Sequence, residues 1–334
     1  MSVRHRLRSG DERSTREPAA PFTETVGTLT NVSDATFTVL TRTGESVTVR
    51  RADVGALRVV PPAPSRRGAP HRALSAQAVQ ALMVDAWPPM EREQLGGWLL
   101  RAARGFTGRA NSALTTGDPG LGVPAAVDAV ERWYAARDLP SNLVVVGEVG
   151  FDPWSTPVGA ELARRGYAGR VATLTLTAAT RAVLAATPTS PGAAPVETSG
   201  VLTDAWFTAY QRYRPVDEMA ARAILTGSPE QVFATVRDGE EVVAIGRLGL
   251  AHAWGGIAAM WVSPTARRRG LGRAVVGALA LAADARGARS LHLQTDTDNG
   301  AALGLYEALG FERHHAYVNL ADRQTPLTNP SGGH

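Results

Sequence analysis

"MWVSPTARRRGLGRA" (residues 260–274) carries three signals in order. An apolar, strand-like run ends at Pro264, three arginines follow, and Gly270 and Gly272 flank Leu271 before alanine- and valine-rich text resumes. Proline has no N–H to give a strand ladder, so the strand stops there. The two glycines let the backbone turn tightly with N–H groups outward, and the helix that follows adds unpaired amides and a positive dipole end. Such a concavity fits a phosphate. Each charge-assisted bond to an anion contributes roughly 1.5–3 kcal/mol and the dipole about 0.3–1, so amides and flanking arginines carry most of the holding. Taken alone, R-x-x-G-x-G also describes a solvated helix cap, and only its surroundings separate the two readings.

Those surroundings are ordered. Helical text covers residues 204–226, and "QVFATVRDGEEVVAIGRLGL" (231–250) reads as a hairpin turning at Asp238-Gly239. The strand "IAAMWVSP" (257–264) precedes the arginines. After them come a helix to about Arg286, the strand "SLHLQTD" (290–296), a helix over 299–309 containing Asn299 and Tyr306, then "ALGF" (308–311) and a closing strand.

In this order the motifs resemble the GNAT superfamily of acetyl-CoA-dependent N-acetyltransferases, over residues 200–320. The resemblance implies an α/β (α+β) GNAT fold with a mixed sheet, and acetyl-CoA as acetyl donor with no metal. Carried over by position, Arg268, Arg269, Gly270, Leu271, Gly272 and Arg273 cradle the pyrophosphate. Backbone groups of Met260, Trp261 and Val262 pair with the pantetheine and acetyl groups, and Asn299 contacts the cofactor. Tyr306 is the implied general acid; its spacing of seven from Asn299 puts both on one helical face, and a phenol of pKa about 10 can protonate a thiolate. Some relatives place a glutamate base where this chain has Gln294, which cannot take a proton usefully. His252, Asp296 and Asp298 remain as candidates for the base, His252 from a loop just before the cofactor strand.

An internal repeat extends the reading. "LARRGYAGRVATLTL" (162–176) lies on "YEALGFERHHAYVNL" (306–320), with Gly166 on Gly310, and "GLGVPAAVDAV" (120–130) tracks "GLGRAVVGALA" (270–280). Two similar lobes are expected, 72–185 and 200–322. In the first lobe "GDPGLG" (117–122) keeps the glycines and loses the arginines, Asp118 repels a phosphate, and Leu162 stands for the tyrosine. It is expected to be a degenerate GNAT-like lobe with no second acetyl-CoA site. Its expected role is to complete the substrate cleft or to support the active lobe, with Arg101, Arg104 and Arg109 as candidates for binding a carboxylate.

Residues 26–60 alternate apolar and polar with a turn signal at Thr43-Gly44-Glu45, the pattern of a small SH3-like β-barrel over 23–62. Residues 1–22 read as a disordered tail, and 61–70 and 185–200 as linkers. This three-part plan resembles an actinobacterial tandem-GNAT group whose members are described as histone-acetyltransferase-like or as N-acetylglutamate synthase-like. At pH 7 an α-amine of pKa near 8 is about a tenth unprotonated, and a lysine near 10.4 well under a thousandth. A site without an obvious base suits the easier amine. The expected acceptor is therefore the α-amine of glutamate or another small amino acid. The alternatives are acetylation of a protein or peptide at lysine or the N-terminus, and acetyl-CoA sensing without catalysis.

Composition closes other routes. All 35 basic residues in the Lys+Arg count are arginine against 31 acidic ones, so a net charge of only +4 returns a pI of about 9.9. A nucleic-acid partner is not expected on that charge. There are no cysteines, hence no disulfide or thiolate metal site. The first twenty residues are charged where a signal peptide is apolar, and no run reaches the roughly 18 apolar residues of a membrane span, so a cytoplasmic protein without membrane contact is expected. Oligomeric state is left open.

Overall fold

In the computed structural model, residues 2–6, 22–41, 46–58, 70–187, 195–214 and 216–322 are described. The chain divides into two compact units, 1–66 and 67–334. The first is an antiparallel sheet of β1 (Ser2–Arg6), β2 (Phe22–Val32), β3 (Thr36–Thr41), β4 (Ser46–Arg50) and β5 (Val54–Arg58), in the order β4-β3-β2-β1-β5. Val3, Phe37, Val39 and Val49 form its small core. Strand β1 falls in the stretch expected to be a disordered tail: Val3 pairs with Thr25 on one side and Leu57 on the other. Closure into a barrel is not shown, and the turn signal at 43–45 lies outside the described residues.

The second unit opens with α1 (Pro70–Ala73) and α2 (Ala76–Ala86), then β6 (Glu91–Leu95), β7 (Trp98–Ala102), β8 (Ala113–Leu114), α3 (Val123–Ala135), β9 (Asn142–Gly147), α4 (Pro157–Arg164), β10 (Ala168–Gly169), β11 (Thr173–Ala179) and α5 (Thr180–Ala186). The repeat follows as β12 (Val196–Ser199), α6 (Asp204–Tyr213), α7 (Glu218–Thr226), β13 (Glu230–Asp238), β14 (Glu241–Ala251), β15 (Trp254–Val262), α8 (Leu271–Ala285), β16 (Ser290–Asp296), α9 (Gly300–Ala308) and β17 (Glu312–Ala321). Side-chain oxygens of Ser75, Thr156, Thr203, Asp217 and Asn299 accept N-terminal amides of α2, α4, α6, α7 and α9, the usual reason a helix begins where it does. The expected linker over 185–200 is shorter than its composition suggested, since α5 runs to Ala186 and β12 spans Val196–Ser199. Among the described residues no helix is long and apolar enough to cross a membrane.

The two lobes do not each close their own sheet. The strand order is β12-β13-β14-β15-β16-β11-β17-β9-β8-β7-β6, with β10 pairing β17 to the side. Each lobe contains one parallel pair, β8 with β9 and β15 with β16. Beyond it, each takes as its next strand the closing strand of the other: β16 pairs antiparallel with β11, and β9 with β17. Those two closing strands pair with each other at the centre, Thr173 opposite Tyr317. The strands matched in the sequence repeat are thus exchanged, and the expected separate lobes at 72–185 and 200–322 share one mixed sheet. Helix α8 covers one face of the second half over Val275, Val276 and Leu279; α6 and α7 cover the other through Trp206, Phe207, Tyr210 and Ile224.

Candidate active site

Two departures from regular pairing open the sheet at one place. On β15, Ala258 lies opposite Arg247 and Trp261 opposite Ile245, so Ala259 and Met260 share Gly246 as partner in a bulge. Ala259 sits there with φ +53°, a conformation non-glycine residues seldom hold. On the other side, the parallel register of β15 with β16 ends at Ile257 opposite Leu293 although both strands continue. Past that point the edge of residues 258–262 facing β16 has no ladder partner; the Val262 carbonyl accepts from Arg267 Nε at 3.4 Å, and the remaining peptide groups of that edge are open to a ligand.

Two cavities meet in this gap. One, of about 410 Å³, runs beside Met260, Trp261, Val262, Arg267, Arg268, Gly270, Leu271, Gly272, Arg273 and Leu305. The other, of about 200 Å³, is walled by both lobes: Trp87, Thr107, Gly108, Arg109 and Thr173 come from the first, and Tyr210, Tyr213, Arg214, Gln294, Asp296, Asp298, Asn299, Tyr317 and Asn319 from the second. Met260, Ala302 and Tyr306 line both. A donor group in the first and an acceptor in the second would touch at those three residues.

The Arg-rich turn is shaped for an anion. Gly270 precedes α8 with φ +78°, and Arg268 is left-handed too, with φ +63°. Such turns gather successive N–H groups into a concavity. A Cβ at Gly270 would meet nothing within 4 Å, so glycine is needed there for its backbone and not for space. Of the arginines, Arg268 lines the groove with no hydrogen bond or ion pair among the described residues. Arg273 lines it while giving one N–H to the Ala186 carbonyl that ends α5, at 2.8 Å. Arg269 does not line it: its guanidinium pairs with Asp238 at 2.9 Å, and Arg267 takes the place on the wall. In the first lobe Gly120 has the same left-handed φ, +74°, but the Asp118 carboxylate accepts its N–H at 2.8 Å, so the amide that would meet a phosphate is already bonded.

Tyr306 stands at the junction, its ring edge-on to Phe311 at 6.0 Å. Its hydroxyl has no hydrogen-bond partner among the described residues, and burial pushes its pKa up to about 12, which keeps the proton in place at neutral pH. Asn299, expected to contact the cofactor, caps α9 through the Ala302 N–H at 3.0 Å and lines the acceptor cavity, not the groove. His252 lies in neither cavity. It occupies the β14–β15 turn and bonds the Asp85 carboxylate at 2.7 Å, tying that turn to α2. Met260 lies six residue steps along the strand from Trp254, roughly 20 Å at about 3.3 Å per step, so His252 cannot reach the reacting atoms. Gln294 does face the acceptor cavity, where its oxygen accepts the Tyr317 hydroxyl at 3.3 Å. Asp296 and Asp298 are carboxylates of the same cavity, Asp296 accepting from the Thr173 hydroxyl at 2.9 Å.

Between β7 and β8 the first lobe sends residues 103–112 across to the second. The Asn111 side chain ties this loop down, accepting from Ala103 and Gly105 N–H at 2.7 and 2.9 Å and donating to the Phe106 carbonyl at 2.6 Å. Ala103, Phe106 and Ala110 then pack with Trp206, Phe207 and Tyr210. The three candidate arginines separate. Arg101 is buried on Ser112 and Arg104 pairs with Asp217, while Arg109 alone of the three reaches the cavity. Trp87, Thr173 and Tyr317 were not anticipated. The Thr173, Thr175, Thr177 alternation in an otherwise apolar strand was the available signal for a polar sheet face.

The family described as "Probable histone acetyltransferase Rv0428c C-terminal" matches residues 75–319. The chain belongs to that family, within the GNAT N-acetyltransferases. It is 40% identical over 136 residues to the probable histone acetyltransferase Rv0428c of Mycobacterium tuberculosis, a match covering 39% of this chain and 41% of that protein. It is 27% identical over 246 residues to the uncharacterized N-acetyltransferase YobR of Bacillus subtilis, covering 71% of this chain and 96% of the relative. Among solved structures, a GCN5-related N-acetyltransferase from Kribbella flavida aligns over 75% of this chain and 97% of its own, with a TM-score of 0.57 and 18% identity. A tandem GNAT protein from the clavulanic acid biosynthesis pathway aligns over 78% and 91%, with a TM-score of 0.52 and 15% identity. These last two likenesses show the fold. GNAT membership implies acetyl-CoA as donor and an acceptor substrate beside it.

Proposed function

We propose that this chain acetylates the primary amine of a small acceptor, with acetyl-CoA in the groove at Arg268–Gly272 and the acceptor in the two-lobed cavity. The observation that carries this reading is the meeting of the two cavities at Met260, Ala302 and Tyr306, beside the free peptide edge of β15. Acetyl-CoA supplies an acetyl group already activated as a thioester. The peptide N–H groups around the Ala259 bulge are available to hold its carbonyl oxygen, the arrangement that lowers acyl-transfer barriers most. Arg268 and the turn at Gly270 bind the phosphates; Arg269, turned to Asp238, is left out of that set. Tyr306 donates its phenolic proton to the departing sulfur. Asp296 and Asp298 pair with the ammonium of the acceptor and take its proton, the role Gln294 cannot fill.

The finer reading is the α-amine of a free amino acid, glutamate or another of similar size, supported by the modest cavity and its enclosure by both lobes. The name of the family raises a second acceptor, the lysine of a histone tail. The N-terminal antiparallel unit is read as an SH3-like module, on the support of five antiparallel strands around one small apolar core. Thiol release from acetyl-CoA, measured against free amino acids, polyamines and histone-tail peptides, tests the proposal: release stimulated by a small amine is expected. Stabilisation by acetyl-CoA with no stimulation by any amine would leave a sensor and end the enzyme reading.

A further inference from the structure

Trp87 follows directly on α2 and forms part of the acceptor-cavity wall. Two guanidinium groups lie over its ring, Arg109 at 5.3 Å and Arg247 at 5.2 Å from the centroid. Its indole N–H donates to the Thr107 hydroxyl at 3.2 Å, which ties it to the loop that bears Arg109.

Arg247 is fully buried on β14, yet its bonds go to neutral groups: the Leu225 carbonyl at 2.7 Å, the Ala86 carbonyl at 2.8 Å and the Ser228 hydroxyl at 2.6 Å. Ala86 ends α2 and Leu225 is in the last turn of α7, so both carbonyls belong to negative helix ends. Burying a guanidinium without a carboxylate is costly. The surroundings are nonetheless shaped for this one. A Cβ on Gly249 would overlap the Ala86 oxygen, and one on Gly256 would come within 2.9 Å of the Ala86 Cβ, so two glycines let the end of α2 settle against the sheet beside Arg247.

Arg109 is the reverse case. It reaches the cavity with no hydrogen bond or ion pair among the described residues, while Arg101 and Arg104 of the same stretch are spent on protein partners. A planar fork of donors in a cavity wall, backed by an aromatic face, is a receptor for a carboxylate.

We propose that Arg109, lying over Trp87, receives a carboxylate on the acceptor amine, and that the buried Arg247, which lies over the same ring and bonds the end of α2 just before it, is a positioning residue for this recognition through Trp87. The inference rests on the reading of the cavity as the acceptor site. With the carboxylate on Arg109, the ammonium is left for Asp296 and Asp298 in the same cavity. An amine without a carboxylate leaves Arg109 desolvated and unpaired, which is a strong basis for rejection.

The test uses matched pairs on the full chain: L-phenylalanine with phenethylamine, L-leucine with 3-methylbutylamine, and L-glutamate with its α-decarboxylated amine. Wild type is expected to favour the first member by about 100-fold or more in kcat/KM in the first two pairs. Arg109→Gln should bring those members within about threefold of each other. Arg247→Met should shrink the ratio at least tenfold; equal losses on both members, with the ratio intact, would mark Arg247 as merely structural. Should Arg247→Met not fold, Trp87→Phe, which keeps a ring but loses the bond to Thr107, is read in the same ratio. Thermal shifts of the CoA-loaded protein with each compound supply a readout free of turnover. If no amine releases thiol but amino acids stabilise wild type and not Arg109→Gln, the enzyme reading falls and the carboxylate site stands. If amines are acetylated with no preference within pairs, the carboxylate site falls and the enzyme stands.

Discussion

At the scale of single residues, Tyr306 makes the most direct prediction. Its ring packs edge-on to Phe311, so Tyr306→Phe keeps the packing and removes only the hydroxyl. Turnover should fall by about 10²- to 10⁴-fold with acetyl-CoA affinity unchanged; calorimetry of cofactor binding beside steady-state rates checks both, and an equal loss in each would remove the acid role. Because burial holds this phenol near 12, no loss of rate from its deprotonation is expected below about pH 10. Two histidines make a separate prediction. Burial first, then nearby Arg109 and His315, pushes His292 down to about 3; burial and then His314 do the same to His315. The unfolded chain binds these protons near pH 6.5 and the folded one does not, so stability is full above pH 6.5 and falls towards pH 3. The slope is about 1.4 kcal/mol per pH unit for each histidine. Urea midpoints across that window should show it, and His292→Gln should flatten it; an unchanged slope would contradict the assignment. Sequence made the glycine turn before α8 and the helical place of Tyr306 legible because each depends on local chemistry. It could not tell Arg268 from Arg269, or Arg109 from Arg101, since a run of like charges does not say which one finds a partner. His252 misled for a related reason: adjacency along the chain at the start of β15 became distance along an extended strand.

Among elements, boundaries set by local chemistry were readable, while pairing partners were not. The strand read at 290–296 is β16 itself, and Gly166 and Gly310, matched in the repeat, take φ of +82° and +83°. Nothing local says that β11 lies beside β16, since the apolar alternation of β11 and β17 would suit either position. The seat of α2 against β14 and β15 was hidden too, because it depends on missing side chains at Gly249 and Gly256. Gly249→Ala should therefore cost about 1–3 kcal/mol by overpacking and disturb Trp87 and the acceptor cavity before the cofactor groove. Denaturant midpoints, together with separate affinities for acetyl-CoA and acceptor, check this. An innocuous Gly249→Ala would count against a close seat of α2 on β14. The equivalent change Gly270→Ala, at φ +78°, should cost about 1–2 kcal/mol and weaken acetyl-CoA instead.

For the second unit as a whole, the exchange of closing strands makes each half of the sheet a structural part of the other. Residues 195–322 alone would leave β16 without its β11 neighbour and β17 without both of its main partners, exposing long unpaired edges. That fragment is expected to aggregate, and co-expression with residues 70–187 should recover soluble protein that binds acetyl-CoA. A monodisperse, acetyl-CoA-binding fragment 195–322 on its own would count against the interdependence. The exchange also bears on the order in which the protein can be made. Strand β17 is the last described strand along the chain, yet it sits between β11 and β9 in the middle of the sheet. During synthesis the first lobe must wait with β9 and β11 unbridged until residues 312–321 have left the ribosome. The wall of the acceptor cavity, which includes Tyr317 and Asn319, is not complete before then, so ribosomes that stop short of that strand release chains with an unfinished acceptor site and with open edges for chaperones and proteases to find.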